Sequence, residues 1–166
     1  LTTNDSTYRD STVIQGKVTM ESLDSTAALI GFMIYKGQVH VNGGNPILKR
    51  LHIRDRSEGQ ALYILGGAKL TINDLEVKSN GVLPTGQGTG FEGGGIYVKE
   101  SQVTFNNAII DSNNATNIGG GIYSIRSYVT INNSQINDNT AIDGGGIWSS
   151  SDSSFTMTNV TVKRDS

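Results

Sequence analysis

A triple-glycine motif recurs at almost constant spacing, and this repeat constrains the fold more than any other feature of the sequence. Gly93-Gly94-Gly95-Ile96-Tyr97 returns as Gly119-Gly120-Gly121-Ile122-Tyr123, and then as Gly144-Gly145-Gly146-Ile147-Trp148. The two steps are 26 and 25 residues. Self-similarity at a fixed period of this size is typical of solenoids, in which each repeat stacks on its neighbours and shares one continuous core with them.

Two further registers follow each glycine motif. The first contains Val103-Thr104-Phe105-Asn106-Asn107 and returns 26 residues later, from Val129, and again 26 residues later, from Phe155. The second contains Ile110, Ile136 and Val162 at the same step. Looser copies extend upstream to about residue 11, and the turn-rich residues 81–90 account for one longer interval. The repeat therefore predicts about six coils, with residues 81–90 as an inserted loop.

Apolar and polar residues alternate within each register, which indicates short β-strands. Three strands per coil predict an all-β parallel β-helix. We treat residues 1–166 as one such domain, which is either complete or a piece of a longer solenoid. The inward positions predict stacked apolar rows made of Ile96, Ile122, Ile147, Val103, Val129, Phe105, Ile131, Met157, Ile110, Ile136 and Val162.

Composition excludes several classes of partner. Charged residues make up 17% of the chain and the net charge is −2, so no basic surface for a nucleic acid or an anionic membrane is expected. The longest apolar run, residues 27–35, is too short to cross a bilayer, so we expect no membrane insertion. The chain has no cysteine and neither histidine has a metal-ligand spacing, so we expect no metal site and no cofactor.

A ladder of asparagines marks one corner of the predicted coils. Asn107, Asn133 and Asn159 occupy equivalent places, and Asp74 occupies the place before them. Asparagine tolerates left-handed turn geometry, and its amide can bond to the next coil. We interpret this ladder as structural. The glycine triplets likewise predict positive φ and close approach of the backbone at another corner.

An aromatic row is the strongest candidate for a binding site. Tyr97, Tyr123 and Trp148 each follow an inward isoleucine, so alternation turns them outward together, and Tyr63 fills the preceding slot. Flat exposed rings along one sheet can stack on sugar rings, although such rows also occur as ordinary sheet packing. We predict Tyr63, Tyr97, Tyr123 and Trp148 as glycan-binding residues.

The densest charged stretch, residues 49–56, gives the competing enzymatic interpretation. A polysaccharide lyase needs a base beside the uronate and a cation on its carboxylate. His52 or Arg54 would be the base, and Arg50 or Arg56 the clamp. The register places His52 beside Glu76, and no acidic cluster suited to calcium accompanies the stretch. We therefore assign no catalytic residue and expect a solvated strand face.

An outward threonine row suggests a further alternative. Thr71, Thr104, Thr130 and Thr156 recur with the period of the coils, and regular threonine arrays can organise water as ice-binding solenoids do. Asparagine replaces the second threonine in three of the four coils, at Asn73, Asn106 and Asn132. This replacement argues against an ice-binding face.

These motifs resemble the pectin-lyase-like right-handed parallel β-helix repeats of secreted bacterial proteins. The Gly-Gly-Gly-Ile motifs, with Ile110-Asp111-Ser112-Asn113 and Asn137-Asp138-Asn139 after them, look like the repeats of polymorphic outer-membrane proteins and adhesins. Gly31-Phe32-Met33-Ile34 is similar to the opening of many such domains. The resemblance covers roughly residues 11–162 and implies a right-handed coil and an extracellular setting. It does not choose among lyases, epimerases, depolymerases and adhesin stalks.

We therefore expect a secreted or cell-surface module that is adhesin-like or carbohydrate-binding and non-catalytic. The alternatives are a polysaccharide lyase or depolymerase acting on an acidic glycan and, second, an ice-binding β-solenoid. The expected partner is a polysaccharide or a glycan of a host or cell surface, and not a nucleic acid. The open strand edges of a solenoid also predict end-to-end contact with further coils or another subunit.

Overall fold

A computed structural model describes residues 12–81 and 92–166 of the chain. Every strand pair in these residues is parallel, and they contain no helix. The predicted insertion at 81–90, apart from Gly81, lies outside the described residues. The strands are β1 (Thr12–Glu21), β2 (Ala28–Ile30), β3 (Phe32–Asn42), β4 (Ile47–Arg54), β5 (Leu62–Leu65), β6 (Lys69–Lys78), β7 (Ile96–Lys99), β8 (Gln102–Asp111), β9 (Ile122–Ile125), β10 (Tyr128–Asn137), β11 (Ile147–Ser149) and β12 (Ser154–Lys163).

The strand pairs form three ladders that run along the stack, as the three sequence registers predict. Sheet A joins the second halves of β1 and β3 to β5, β7, β9 and β11. Sheet B joins β2 to the first halves of β4, β6, β8, β10 and β12, and sheet C joins the second halves of these five strands to the first halves of β3 and β1. The all-β parallel solenoid of about six coils is confirmed.

Residues with positive φ form a column at each corner between sheets. At the corner between sheets B and C, asparagine supplies this conformation in three successive coils, at Asn107, Asn133 and Asn159. The Asn107 amide donates to Asp74 Oδ1 over 3.0 Å, and the Asn159 amide donates to Asn133 Oδ1 over 2.9 Å. The structural interpretation of this ladder is confirmed, because its side chains bond to one another along the corner.

Two properties of the glycine triplets exclude other residues. The first glycine adopts a left-handed turn, and the second has no room for a side chain. Gly119 has a φ of 69°, which favours glycine. A Cβ on Gly120 would lie 2.4 Å from the Thr140 carbonyl oxygen, so no side chain fits there. The predicted close approach of successive coils at the start of sheet A is confirmed.

The core consists of the inward rows of the three sheets. Eight of the predicted core residues are buried: Ile96, Ile122, Val103, Val129, Phe105, Ile131, Ile110 and Ile136. Three differ, because Ile147 is only partly buried, and Met157 and Val162 are each 49% exposed. Met157 pairs with Ile131 and Val162 pairs with Ile136, so the predicted register is correct. The expected burial is wrong at these positions because β11 and β12 are the last strands of their ladders.

A second, buried asparagine ladder lies where the chain passes from sheet C to sheet A. Asn80, Asn113 and Asn139 are at most 2% exposed. The amides of Asn80 and Asn113 donate to the side-chain oxygen of the next member over 3.0 and 2.9 Å. Asp165 occupies the next position and accepts from the Asn139 amide over 2.9 Å. Asn113 and Asn139 belong to the motifs that carry the family resemblance, which does not predict this role.

Among the residues that the structure describes, no helix is long and apolar enough to cross a membrane.

Candidate functional site

The four predicted aromatic residues form one continuous row on the outer face of sheet A. Tyr63 pairs with Tyr97, Tyr97 with Tyr123, and Tyr123 with Trp148. The centroids of successive rings are 4.6, 5.0 and 4.8 Å apart. The row is held in place by the inward side chains that alternate with it, such as Leu62, Ile96 and Ile122, whose burial fixes which face the rings occupy.

His40 extends this row at the Tyr63 end. It pairs with Tyr63 in the strand register, and the two ring centroids are 5.1 Å apart at an interplanar angle of 80°. The sequence carried a signal for this position, since His40 lies between Val39 and Val41 in an alternating strand. The signal was missed because His40 belongs to the upstream coils, in which the repeat is shorter and lacks the glycine triplet.

The rings of the row cover one another's faces. The interplanar angle is 29° between Tyr97 and Tyr123 and 10° between Tyr123 and Trp148. Parallel strands lie about 4.8 Å apart, which is close to the separation of stacked rings. Tyr97, Tyr123 and Trp148 therefore stack on one another and turn their edges outward, whereas His40 meets Tyr63 edge to face. The expectation of an exposed Tyr123 is wrong, because this residue is 4% exposed.

A groove of about 400 Å³ runs beside the first half of the row. Two glutamines span neighbouring coils in its wall: the Gln38 amide donates to the Gln60 carbonyl over 2.9 Å, and the Gln60 amide donates to the Glu92 carbonyl over 2.6 Å. The groove brings together two of the four predicted binding residues, Tyr63 and Tyr97, and leaves Tyr123 and Trp148 outside. Its lining residues are Lys17, Gln38, His40, Gln60, Tyr63, Glu92 and Tyr97.

Tyr97 and His40, two of the ring groups in the groove, are uncharged near neutral pH. Burial, together with the neighbouring Tyr63 and Tyr123, raises the pKa of Tyr97 to about 12. Burial, and then Lys17, lowers the pKa of His40, which Glu21 opposes. Neither ring nitrogen of His40 has a hydrogen-bond partner among the described residues. Lys17 and Glu92 are the charged side chains of the lining, and their charges are opposite.

Two residues of the basic stretch that supports the lyase alternative contact neighbouring side chains. His52 is 6% exposed, and its Nε2 lies 3.1 Å from Glu76 Oε2 on the next coil, as the register predicted. Arg54 Nε lies 2.7 Å from Asp55 Oδ2. The described residues contain no group of three or more histidine, cysteine, aspartate or glutamate side chains placed to share a metal ion. These contacts favour a structural role for His52 and Arg54.

The threonine row considered for ice binding lies on the outer face of sheet B. Thr71, Thr104, Thr130 and Thr156 are paired in register, as predicted. The asparagines beside them bond to one another instead of forming a second open row: the Asn106 amide donates to Asn73 Oδ1, and the Asn132 amide donates to Asn106 Oδ1, both over 2.9 Å. A flat face with two open hydroxyl rows is therefore not formed.

Comparison with known proteins agrees with this architecture. A family model described as "Right handed beta helix region" matches residues 3–163. No curated protein and no solved structure matches the chain. With three parallel ladders, stacked corner columns and a family match over nearly its whole length, the chain belongs to the right-handed β-helix family.

Proposed function

We propose that this chain is a non-catalytic, adhesin-like module that binds carbohydrate in the groove beside its aromatic row. The observation that carries the proposal is that one groove is lined by two tyrosine rings and two glutamine side chains, those of Tyr63, Tyr97, Gln38 and Gln60. Carbohydrate sites typically combine an apolar ring surface with a few polar groups that fix the orientation of the ligand. Here ring edges and amides lie side by side along the stack.

The length and charge of the groove limit the class of ligand. Lys17 lies on β1 and Tyr97 on β7, three strands further along sheet A. At about 4.8 Å per strand the groove extends about 14 Å, enough for a short oligosaccharide lying parallel to the stack. The opposite charges of Lys17 and Glu92 do not favour a highly charged polymer. We expect weak binding that tolerates several glycans.

A secreted or cell-surface location is part of this proposal. It is supported by the resemblance of the repeats to those of secreted bacterial solenoids and by a ligand class that is abundant outside cells. Protease treatment of intact source cells, followed by detection with an antibody, tests it. Protection of the chain from protease in intact cells, with digestion only after lysis, would contradict a surface location.

The binding test compares Gln38→Ala with a matched control. Gln135→Ala removes an exposed glutamine of sheet C, remote from the groove in register. We expect glycans identified on an array to bind Gln38→Ala about tenfold more weakly, which corresponds to one lost polar contact, and to bind the control as they bind the wild type. Equal binding by both variants would refute the groove as the site.

Trp148→Ala separates two modes of binding. Trp148 lies in the row but outside the groove, so binding in the groove predicts little change in this variant. A large loss of binding in Trp148→Ala would instead place the glycan at the far end of the row.

The lyase alternative has its own assay. Cleavage of an acidic polysaccharide by elimination forms an unsaturated uronate that absorbs ultraviolet light. We expect no such product from polyuronates. Product formed by the wild type and abolished in His52→Gln would overturn the non-catalytic proposal.

A further inference from the structure

Tyr128 is the most solvent-exposed tyrosine, tryptophan or phenylalanine among the described residues. It begins the sheet B half of β10 and is 69% exposed, whereas Tyr123 in the row is 4% exposed. Its strand neighbours are Gln102 on β8 and Ser154 on β12, so no aromatic residue stands before or after it in register. The ring faces of Tyr97 and Tyr123 have an aromatic neighbour on both sides in the row of sheet A, whereas the ring of Tyr128 has none in register.

Tyr128 borders a second groove, which has a volume of about 360 Å³. Its lining consists of Gln102, Tyr128, Val129, Thr130, Ser154 and Thr156, and none of these side chains is charged. The groove lies on sheet B, around the corner from the aromatic row on sheet A.

The polar groups of this groove are available to a ligand. The amide of Gln102 and the hydroxyls of Thr130, Ser154 and Thr156 make no side-chain hydrogen bond to the described part of the protein. The neighbouring asparagines behave differently, since the amides of Asn106 and Asn132 are used along their own row. The Gln102 amide and these three hydroxyls therefore provide open donors and acceptors beside the Tyr128 ring.

We infer that this groove is a second glycan-binding site and that it is selective for neutral glycans. The sugar ring stacks on the face of Tyr128 while its hydroxyls bond to Thr130, Thr156 and Gln102. No charged side chain lines the groove, and the exposed Lys69, the register partner of Gln102, lies one strand beyond the lining. Neutral chains should therefore bind better than acidic ones. This inference goes beyond the proposed function, because it uses neither the aromatic row nor the groove of sheet A.

Two sites on adjacent faces also change how the module engages a polymer. A glycan chain or a glycan-coated surface that occupies both sites is held more strongly than by either alone, provided that the geometry allows simultaneous contact. Weak individual sites are therefore compatible with firm attachment to a polysaccharide layer.

The test measures binding of neutral hexasaccharides of glucose, mannose and xylose to the whole chain by calorimetry, with polygalacturonate as the acidic comparison. The variants are Tyr128→Ala, which removes the ring, and Tyr128→Phe, which keeps the ring and removes only the hydroxyl. Tyr35→Ala, on the outer face of sheet C, is the control for loss of a tyrosine elsewhere.

We expect Tyr128→Ala to weaken binding of a neutral hexasaccharide about tenfold, and Tyr128→Phe and Tyr35→Ala to change it less than about threefold. Binding at this site should be insensitive to salt, because no ion pair is formed. Gln135→Ala, the control on sheet C, should leave it unchanged. Unaltered binding in Tyr128→Ala, no binding of any neutral hexasaccharide by the wild type, or salt-sensitive binding of polygalacturonate alone would each overturn the inference.

The two proposals fail separately. Loss of binding in Gln38→Ala together with normal binding in Tyr128→Ala retains the proposed function and rejects the second site. The reverse result retains the site of sheet B and rejects the groove of sheet A.

Discussion

The amide of Asn113 donates a hydrogen bond over 2.9 Å to the side-chain oxygen of Asn139, its equivalent one coil further along. The backbone N–H of Asn113 donates to the same oxygen over 3.0 Å, and the Asn113 amide also donates to the Val77 carbonyl over 3.0 Å. Both side chains are completely buried. Since buried polar groups require partners, this pair fixes the offset between the two coils.

Replacing Asn113 with alanine tests the importance of this ladder. The change leaves two buried donors of Asn80 without their acceptor, since both its N–H and its amide bond to Asn113 Oδ1. We expect the free energy of unfolding to fall by about 2–4 kcal/mol, measured by urea denaturation. Asn132→Ala, in the half-exposed row of sheet B, serves as the control and should cost less than about 1 kcal/mol. Equal losses in the two variants would contradict the special role of the buried ladder.

Asp165 gives the opposite prediction, a gain in stability. Its Oδ1 accepts from the Asn139 backbone and amide over 2.8 and 2.9 Å, but its buried Oδ2 has no partner among the described residues. In the preceding coil the equivalent atom is the Asn139 amide nitrogen, which donates to the Ile110 carbonyl over 3.0 Å. Asp165→Asn supplies this donor and should stabilise the protein by about 1 kcal/mol. Thermal unfolding measures the change, with the exposed Asp152→Asn as the control, and a lower midpoint for Asp165→Asn would refute the prediction.

The position of a residue along the stack determines the cost of removing an apolar side chain. Ile122 lies in the middle of sheet A and is fully buried, whereas Met157 on the last strand of sheet B is 49% exposed. Ile122→Ala should cost about 2–5 kcal/mol because it opens a cavity in the continuous core. Met157→Ala should cost less than about 1.5 kcal/mol, because much of the side chain already contacts solvent. Chemical denaturation of both variants measures the difference. A similar loss of unfolding free energy in the two variants would contradict this interpretation of the core.

Alkaline pH should weaken the fold through Tyr97. Its pKa is raised to about 12 in the folded protein, mainly by burial, from an ordinary value of 10.0. The folded state therefore holds this proton more tightly, so the stabilisation is complete below pH 10 and is lost as the pH rises from 10 toward 12. Tyr97→Phe keeps the ring in the row but removes the titrating group. Between pH 8 and pH 11, the midpoint of urea denaturation should fall more in the wild type than in this variant. An identical fall in both proteins would exclude Tyr97 as a source of the effect.

The repeating part of the structure could be predicted from sequence because identical spacing determines which residues pair. The 26-residue step from Ile96 to Ile122 implied their pairing on neighbouring strands, and the structure confirms it. The same step placed Tyr97 beside Tyr123. It did not give the orientation of their rings, because side-chain torsion angles and the crowding of one ring by the next have no signature in spacing.

Other features of the structure could not be predicted from the sequence, for different physical reasons. Tyr128 occurs once in its column, between Gln102 and Ser154, so a search for recurring residues does not single it out. The buried Asn113 lies in a turn, where the alternation that separates inward from outward residues in strands no longer applies. The groove of sheet A depends on the upstream coils, whose shorter repeats lack the glycine motif that made the later coils easy to align.

The regular pairing of β8, β10 and β12 has a consequence for how such a protein can evolve. Each of these strands presents almost the same set of contacts to the next, at an unchanged step along the chain. An in-frame duplication of one repeat in the gene would therefore add a coil that fits between two existing coils without a new kind of interface. The same event would add one ring to the aromatic row and one hydroxyl to the threonine row. The length of these two rows can thus increase or decrease by whole repeats, while the fold of every other coil is unchanged.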